Sequence, residues 1–150
     1  EIDRQYRVIF RAAREAGQLV EPLYDGIREL LDALLADGWT LGVATGKSDR
    51  GLEHCLASHG LSRHFLTLQT ADRHPSKPHP SMLDAALADA LALPEQAVMI
   101  GDTQYDMAMA VNAGVRGLGV DWGYHTTAEL RDAGALAVAT SPAHLLELLA

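Results

Sequence analysis

The sequence predicts an α/β fold in which a parallel sheet is covered by helices on both faces, forming a three-layer sandwich. Two observations predict it: segments with helical apolar spacing alternate with short, continuously apolar segments, and single Gly or Pro residues separate them. Of the 150 residues, 48% are hydrophobic, which is enough for one buried core. We therefore expect one compact unit that follows an atypical N-terminal arm.

The first part of this unit shows a helix followed by a strand twice. Apolar residues recur at helical spacing over residues 23–34, and Gly38 follows where a left-handed turn would end the helix. Residues 39–45 form a short apolar run with little alternation, as expected for a strand covered on both faces. A helix near residues 48–59 and a strand at residues 65–69 repeat the pattern.

The second part repeats this alternation. A helix near residues 80–91 precedes a strand at residues 98–100, and a helix near residues 104–113 ends at Gly114. A strand at residues 117–120 follows, before weaker terminal elements. Because crossover connections of this kind join parallel strands, the carboxyl ends of the strands should lie at one edge of the sheet, where ligands of such folds bind.

Charge and cysteine content exclude several classes of partner. Twelve Lys and Arg residues against 20 Asp and Glu give a net charge of −8, which disfavours nucleic acid and anionic membranes as partners. No apolar run approaches the roughly 18 residues that a membrane span needs. The only cysteine, Cys55, can form no internal disulfide. We therefore expect a cytoplasmic protein.

The segment ATGKS spans the end of the strand at residues 39–45 and carries groups that can hold a phosphate. Thr45 provides a hydroxyl, Gly46 lets the backbone approach a ligand closely, and Ser48 opens a helix. Alternatively, Thr45 or Ser48 caps that helix. A nucleotide-binding Walker A loop is rejected because it requires glycine at position 41, which is Leu.

Lys77 lies in the segment SKPHP, which its prolines prevent from forming a regular helix or central strand. A lysine in such a stiffened loop offers a point charge to phosphate or carboxylate. The seven histidines show no zinc-ligand spacing, and only His79, beside Lys77, is a candidate functional histidine.

The segment GDTQYD places Asp102 directly after a strand and Asp106 four residues later, in the first turn of a helix. The two carboxylates should lie on the same side of that turn. Their hard oxygen atoms suit Mg²⁺, so both residues are predicted metal ligands. The alternative is that these residues cap the helix.

In this order, the three segments resemble motifs of the haloacid dehalogenase superfamily, specifically its phosphoglycolate phosphatase-like branch. ATGKS is similar to the second motif, SKPHP to the third and GDTQYDMAMAVNAG to the fourth. The resemblance covers about residues 20–121 and implies a Rossmann-like fold. It also implies a Mg²⁺-dependent phosphatase that hydrolyses a small phosphorylated metabolite through an aspartyl-phosphate.

The resemblance implies a role for each matching residue. Thr45 and the amide of Gly46 would hold a phosphoryl oxygen, and Lys77 would balance charge between the phosphate and the nucleophile. Asp102 would bind Mg²⁺, and Asp106 would support the metal directly or through water. Thr45 and Lys77 are therefore our predicted catalytic residues, and Thr45, Gly46 and Lys77 our predicted substrate-binding residues.

The first motif of the family is absent from the sequence. That motif, an apolar strand ending in DxDGT, carries the nucleophile and the general acid/base. Asp3 follows no apolar strand, and Asp121 precedes Trp122 rather than a second Asp. We therefore expect this chain to be the C-terminal part of a longer phosphatase and to be inactive by itself.

In the family, the first motif forms the central strand, and a cap domain lies between the first and second motifs. By this resemblance, residues 1–20 are the remnant of a helical cap and its hinge, with a helix expected over residues 1–18. Residues 21–150 are then the α/β core, expected to lack its first strand.

Other functions stay open. A sugar-phosphate mutase would share all three motifs, whereas metal-free dehalogenases lack the paired aspartates. A non-catalytic phosphate-binding protein is also possible, although a sheet without its central strand would leave backbone groups unpaired. Phosphoglycolate, a sugar phosphate and a nucleoside monophosphate are all admissible substrates, and the oligomeric state is open.

Overall fold

The computed structural model describes residues 8–13, 26–122 and 125–149. Within these ranges, strands and helices alternate along the chain. The strands are β1 (Val8–Ala13), β2 (Thr40–Thr45), β3 (Thr67–Thr70), β4 (Ala97–Gly101), β5 (Arg116–Val120) and β6 (Ala137–Ala139). The helices are α1 (Ile27–Ala36), α2 (Asp49–Ser58), α3 (Ser81–Ala90), α4 (Gln104–Ala113), α5 (Thr127–Asp132) and α6 (Pro142–Leu149).

The six strands form one sheet in the order β3-β2-β1-β4-β5-β6, and every neighbouring pair is parallel. This confirms the predicted α/β class. The order reverses direction at β1, so the chain grows outward on one side through β2 and β3 and on the other through β4, β5 and β6. Ligands of open α/β sheets bind beyond the carboxyl ends of the strands at such a reversal.

The strand β1 corrects two expectations about the start of the chain. Residues 8–13 form a strand rather than part of a helix, and this strand lies between β2 and β4, where we expected the central strand to be missing. Backbone pairing explains the difference, because the inner edges of β2 and β4 would otherwise bury unpaired N–H and C=O groups. The run Val8, Ile9 and Phe10 also has high strand propensity. The domain boundary at residue 20 lies outside the described residues and stays a prediction.

Two apolar clusters cover the two faces of the sheet. On one face, buried leucines of α1 and α2 meet strand residues such as Leu41 and Ile100. On the other face, Met82 and Leu83 of α3 pack with Met99 of β4. The sheet is therefore the middle layer of three, as predicted.

The predicted helix ends follow the expected backbone chemistry. Gly38 has a φ of 91°, and Gly114 ends α4 with a φ of 75°; both angles favour glycine. For most of the predicted strands, the observed first and last residues differ from the predicted ones by one or two positions. The C-terminal region, where the sequence pattern is weaker, contains α5, β6 and α6. Within the described ranges, no helix combines the length and apolar character that crossing a bilayer requires.

Candidate functional site

The carboxyl ends of three neighbouring strands form the edge that carries the predicted site. Thr45, the last residue of β2, pairs with Ala13, the last residue of β1. On the other side of β1, Arg11 pairs with Ile100, one residue before β4 ends at Gly101. The loops that leave β2 and β4 therefore start on either side of the central strand.

Thr45 and Gly46 form the turn that leaves β2. The Thr45 hydroxyl accepts a hydrogen bond from the amide of Lys47 at 3.2 Å, and the residue is fully buried. A hydroxyl that accepts one bond can still donate its proton to a further oxygen. Ser48, rather than Thr45, caps α2 by accepting a bond from the amide of Gly51 at 3.0 Å. The capping alternative therefore holds for Ser48, and the Thr45 hydroxyl does not cap α2.

Lys77 extends from the loop between β3 and α3 into the interior. Its Nζ atom lies 2.6 Å from Oδ1 of Asp106, and only 11% of the lysine side chain and 1% of the aspartate side chain are exposed. The side-chain amide of Asn112 donates to the carbonyl oxygen of Pro78 at 2.9 Å, which ties the loop to α4. The third and fourth sequence motifs are thus in direct contact through a buried ion pair.

Asp106 has a second function at the start of α4. Its Oδ2 atom accepts bonds from the amide and hydroxyl of Thr103 at 3.2 and 3.0 Å, while the Thr103 hydroxyl accepts from the amide of Asp106. This reciprocal capping box satisfies donors that a helix start otherwise leaves free. The side chain of Asp106 is therefore held by Thr103 on one oxygen and by Lys77 on the other.

Gly101 is required because Asp106 lies directly against the end of β4. A Cβ atom at position 101 would lie 2.3 Å from Cβ of Asp106 and 2.6 Å from its Oδ2 atom. Atoms that approach so closely must move apart, and both are in a packed region. The glycine thus allows the ion pair between Lys77 and Asp106 to lie against the strand.

Asp102 lies between β4 and α4 with 6% of the residue exposed. His125, from the loop after β5, holds this segment through two bonds: its amide donates to the carbonyl oxygen of Asp102 at 3.3 Å, and its Nδ1 atom accepts from the amide of Gln104 at 2.8 Å. The ring of His125 also makes an edge contact with Tyr105. The backbone around Asp102 is therefore held by the loop that follows β5.

The donor chemistry around Asp102 fits a Mg²⁺ ion. Mg²⁺ in phosphoryl-transfer sites takes one or two carboxylates and completes its shell with waters and phosphate oxygens. Asp102 supplies one buried carboxylate, whereas both oxygens of Asp106 already accept bonds from Lys77 and Thr103. Among the described residues, no cluster of three His, Cys, Asp or Glu side chains is arranged as a metal site. If such an ion binds here, Asp102 would be its direct ligand, whereas Asp106 would act indirectly because both of its oxygens already accept bonds.

Residues that sequence analysis did not select also shape the site. Asp49, the first residue of α2, accepts bonds from Thr70 and Arg73, and these bonds lower the pKa of its carboxyl group below the ordinary value. Nothing in the sequence signals this pair, because its partners are separated by 24 positions. Thr103 could have been found, since Thr three residues before Asp is a capping signal. By contrast, Nδ1 of the selected His79 accepts a bond from the amide of Ser81, at the start of α3.

Comparison with known proteins gives one family match and several curated relatives. The family model described as haloacid dehalogenase-like hydrolase matches residues 4–120. A protein of Dickeya dadantii (strain 3937) named "Probable phosphatase IndB" is 40% identical over 134 residues, which are 87% of this chain and 56% of that protein. The chain thus spans little more than half the length of that curated relative.

Two solved structures share the fold. A crystal structure described as a predicted phosphoglycolate phosphatase from Haemophilus somnus 129pt is 26% identical, with a TM-score of 0.81 over 88% of this chain and 60% of that chain. A Thermotoga maritima protein provisionally named a β-phosphoglucomutase is also 26% identical, with a TM-score of 0.77 over 84% of this chain and 59% of that chain.

Proposed function

Since this chain belongs to the haloacid dehalogenase-like hydrolases, in their phosphoglycolate phosphatase-like branch, we propose that the complete protein is a Mg²⁺-dependent phosphatase. Its substrate would be a small phosphorylated metabolite. The observation that carries the proposal is the buried contact between Lys77 and Asp106, at the edge where Thr45 and Asp102 also lie. A cation, a hydroxyl, helix amides and a carboxylate at one edge are the groups that phosphoryl transfer requires.

The described residues would divide the work of binding and charge neutralisation. The hydroxyl of Thr45 and the amide of Gly46 would donate to phosphoryl oxygens. Lys77, oriented by Asp106, would place its positive charge between the phosphate and the attacking group. Mg²⁺, when bound at Asp102, would neutralise further negative charge on the phosphoryl oxygens.

The nucleophile of this proposal is a carboxylate that lies outside these 150 residues. The strand between β2 and β4 has the sequence VIFRAA, without a carboxylate. The proposed carboxylate oxygen would bond to phosphorus as the ester bond between phosphorus and oxygen breaks, and the alcohol would leave with a proton from a general acid. Water would then hydrolyse the aspartyl-phosphate, releasing inorganic phosphate and restoring the carboxylate.

The test compares the 150-residue chain with a longer protein that also contains the residues encoded upstream of Glu1. We expect the longer protein to release phosphate from small phosphate monoesters in the presence of Mg²⁺, and to lose this activity in the variants Asp102→Asn and Thr45→Ala. The 150-residue chain should be inactive. Mg²⁺-dependent turnover by the 150-residue chain, abolished by Asp102→Asn, would contradict the proposed location of the nucleophile.

The structural likeness to the Thermotoga maritima protein supports a sugar-phosphate mutase as the second candidate. A mutase returns the phosphoryl group to its substrate, whereas a phosphatase transfers it to water. Incubating the longer protein with a hexose 1-phosphate separates the two: a hexose 6-phosphate identifies a mutase, and free phosphate identifies a phosphatase.

The continuous sheet bears on the non-catalytic alternative. A chain without a central strand would leave backbone groups unpaired, but β1 pairs with both β2 and β4. The sheet therefore gives no argument against a phosphate-binding protein without a nucleophile. Such a protein would bind inorganic phosphate, and the longer protein would show no turnover of any phosphate ester.

A further inference from the structure

An exposed ion pair joins the two loops that carry the predicted phosphate ligands. Nη1 of Arg73 lies 2.5 and 2.6 Å from the two carboxylate oxygens of Asp49. Asp49 begins α2, three positions after Gly46, whereas Arg73 lies four positions before Lys77. The pair therefore connects the second and third sequence motifs.

Three further bonds make the connection specific. Nη2 of Arg73 donates to the carbonyl oxygen of Leu68 at 2.6 Å, so the guanidinium also holds β3. The amide of Asp49 donates to Asp72 at 2.8 Å, and the amide of Ala71 donates to the carbonyl oxygen of Lys47 at 3.1 Å. Main-chain and side-chain groups of both loops are thus bonded reciprocally.

The backbone between Arg73 and Lys77 is restrained, so that a displacement of Arg73 should also move Lys77. His74 bonds to Gln69 in β3 at 2.8 Å and to Ser81 at the start of α3 at 2.6 Å, so it links the two ends of this loop. Pro75 and Pro78 flank Lys77 and restrict the backbone. A change at Arg73 should therefore alter the position of the Lys77 backbone.

We propose that Asp49 and Arg73 are positioning residues that set the separation between the loop of Thr45 and Gly46 and the loop of Lys77. This inference rests on the proposed function, because it assumes that both loops bind the same phosphate. Neither residue needs to touch the substrate. The side chains of Asp49 and Arg73 are 41% and 46% exposed, so the pair contributes little to global stability and its removal should leave a folded protein.

The first experiment uses the ligand-free chain and the variant Arg73→Ala, observed by amide NMR. We expect the amide signals of Gly46 and Lys77 to shift, and the amide of Ala71 to exchange about threefold faster, the scale set by an exposed ion pair. The matched control is Asp32→Asn, which neutralises another exposed carboxylate, one whose Oδ1 atom lies 2.9 Å from Nε2 of His64. The control should leave all three amides unchanged.

The second experiment titrates variants of Arg73 and Asp49 with inorganic phosphate in the presence of Mg²⁺. Arg73→Ala should weaken phosphate binding by about threefold, and Arg73→Lys should restore part of the loss. The double variant Asp49→Asn/Arg73→Ala should bind phosphate no more weakly than Arg73→Ala, since the two residues act as one pair.

The outcomes separate this inference from the proposed function. Unchanged Gly46, Lys77 and Ala71 amides in Arg73→Ala would overturn the positioning role, whether or not phosphate binds. Weaker phosphate binding without any movement of these amides would also overturn it, because Arg73 would then act through its charge alone. If the amides move but the unmodified chain binds no phosphate, the coupling between the loops stands, and the proposed function is decided separately by whether the longer protein turns over phosphate esters.

Discussion

Nζ of Lys77 and Oδ1 of Asp106 lie 2.6 Å apart in a pair that is almost completely removed from solvent. The two residues come from different sequence motifs, 29 positions apart. A buried charge is tolerated only when it is paired and hydrogen-bonded, so each residue makes the burial of the other possible. The pair therefore supports both the fold and the orientation of the predicted catalytic lysine.

The first prediction concerns this ion pair. Asp106→Asn should lower the free energy of unfolding by about 3 kcal/mol, because Lys77 would keep a buried charge without its counter-charge. Urea unfolding measures the change. Asp32→Asn, which removes an exposed partner of His64, is the control and should cost much less. Equal losses in the two variants would show that burial does not strengthen the contact between Lys77 and Asp106.

The second prediction concerns the glycine at the end of β4. Gly101→Ala should destabilise the protein by about 2–3 kcal/mol, since the new methyl group would overlap Asp106 and force the strand and helix apart. The control is Gly38→Ala, where no atom lies within 4 Å of the new methyl group and only the φ of 91° is unfavourable. That variant should cost about 1 kcal/mol. Thermal or urea unfolding distinguishes steric overlap from backbone strain.

The third prediction concerns the capping box that Thr103 and Asp106 form at the start of α4. Thr103→Ala should cost about 1.5 kcal/mol, because it removes the cap of α4 and the hydroxyl bond to a buried carboxylate. Thr126→Ala removes a similar capping box from α5, where Glu129 is exposed. The loss should be smaller there, since water can replace the missing bond. A larger loss for Thr126→Ala than for Thr103→Ala would contradict this reasoning.

Most of the fold and part of the site follow from local sequence patterns. Gly38, Gly114 and the apolar segments are local signals, and the structure places helix ends and strands close to the predicted positions. Lys77 and Asp106 could be selected because each matches a motif, but their direct contact could not, since it depends on how two crossover units pack. The pair of Asp49 and Arg73 has no local signal at all.

The strand β1 shows the limit of local patterns most directly. Residues 8–13 resembled the end of a cap helix because of their position before the second motif. Their pairing depends on two strands that lie far along the sequence, at Thr40–Thr45 and Ala97–Gly101. Tertiary pairing therefore decides the secondary structure of a short segment that sequence alone leaves ambiguous.

The fourth prediction concerns pH. Hydrogen bonds from Thr70 and Arg73, in that order, lower the pKa of Asp49 below 3.8 in the folded state. A lowered folded-state pKa means that Asp49 contributes stability above its ordinary pKa, and that this contribution is lost as the pH falls through the folded-state value. The variant Asp49→Asn should therefore be only slightly less stable than the unmodified chain at neutral pH, because the pair is exposed, and this small difference should shrink with acidification. Unfolding midpoints measured across an acid series test this; a difference that grows with acidification would contradict the assigned shift.

The fifth prediction tests the central strand. Ile9→Pro removes the backbone donor of the second residue of β1, a residue that pairs with Leu41 of β2 and with Val98 of β4. The expected loss is about 3 kcal/mol or more, because a proline in a central strand breaks the ladder as well as restricting the backbone. Ile9→Ala keeps the backbone donor and is the control for the side chain. If the two variants unfold at the same urea concentration, residues 8–13 do not fill the centre of the sheet in solution, and the place between β2 and β4 is open to another strand. If Ile9→Pro alone is strongly destabilised, this chain completes its own sheet.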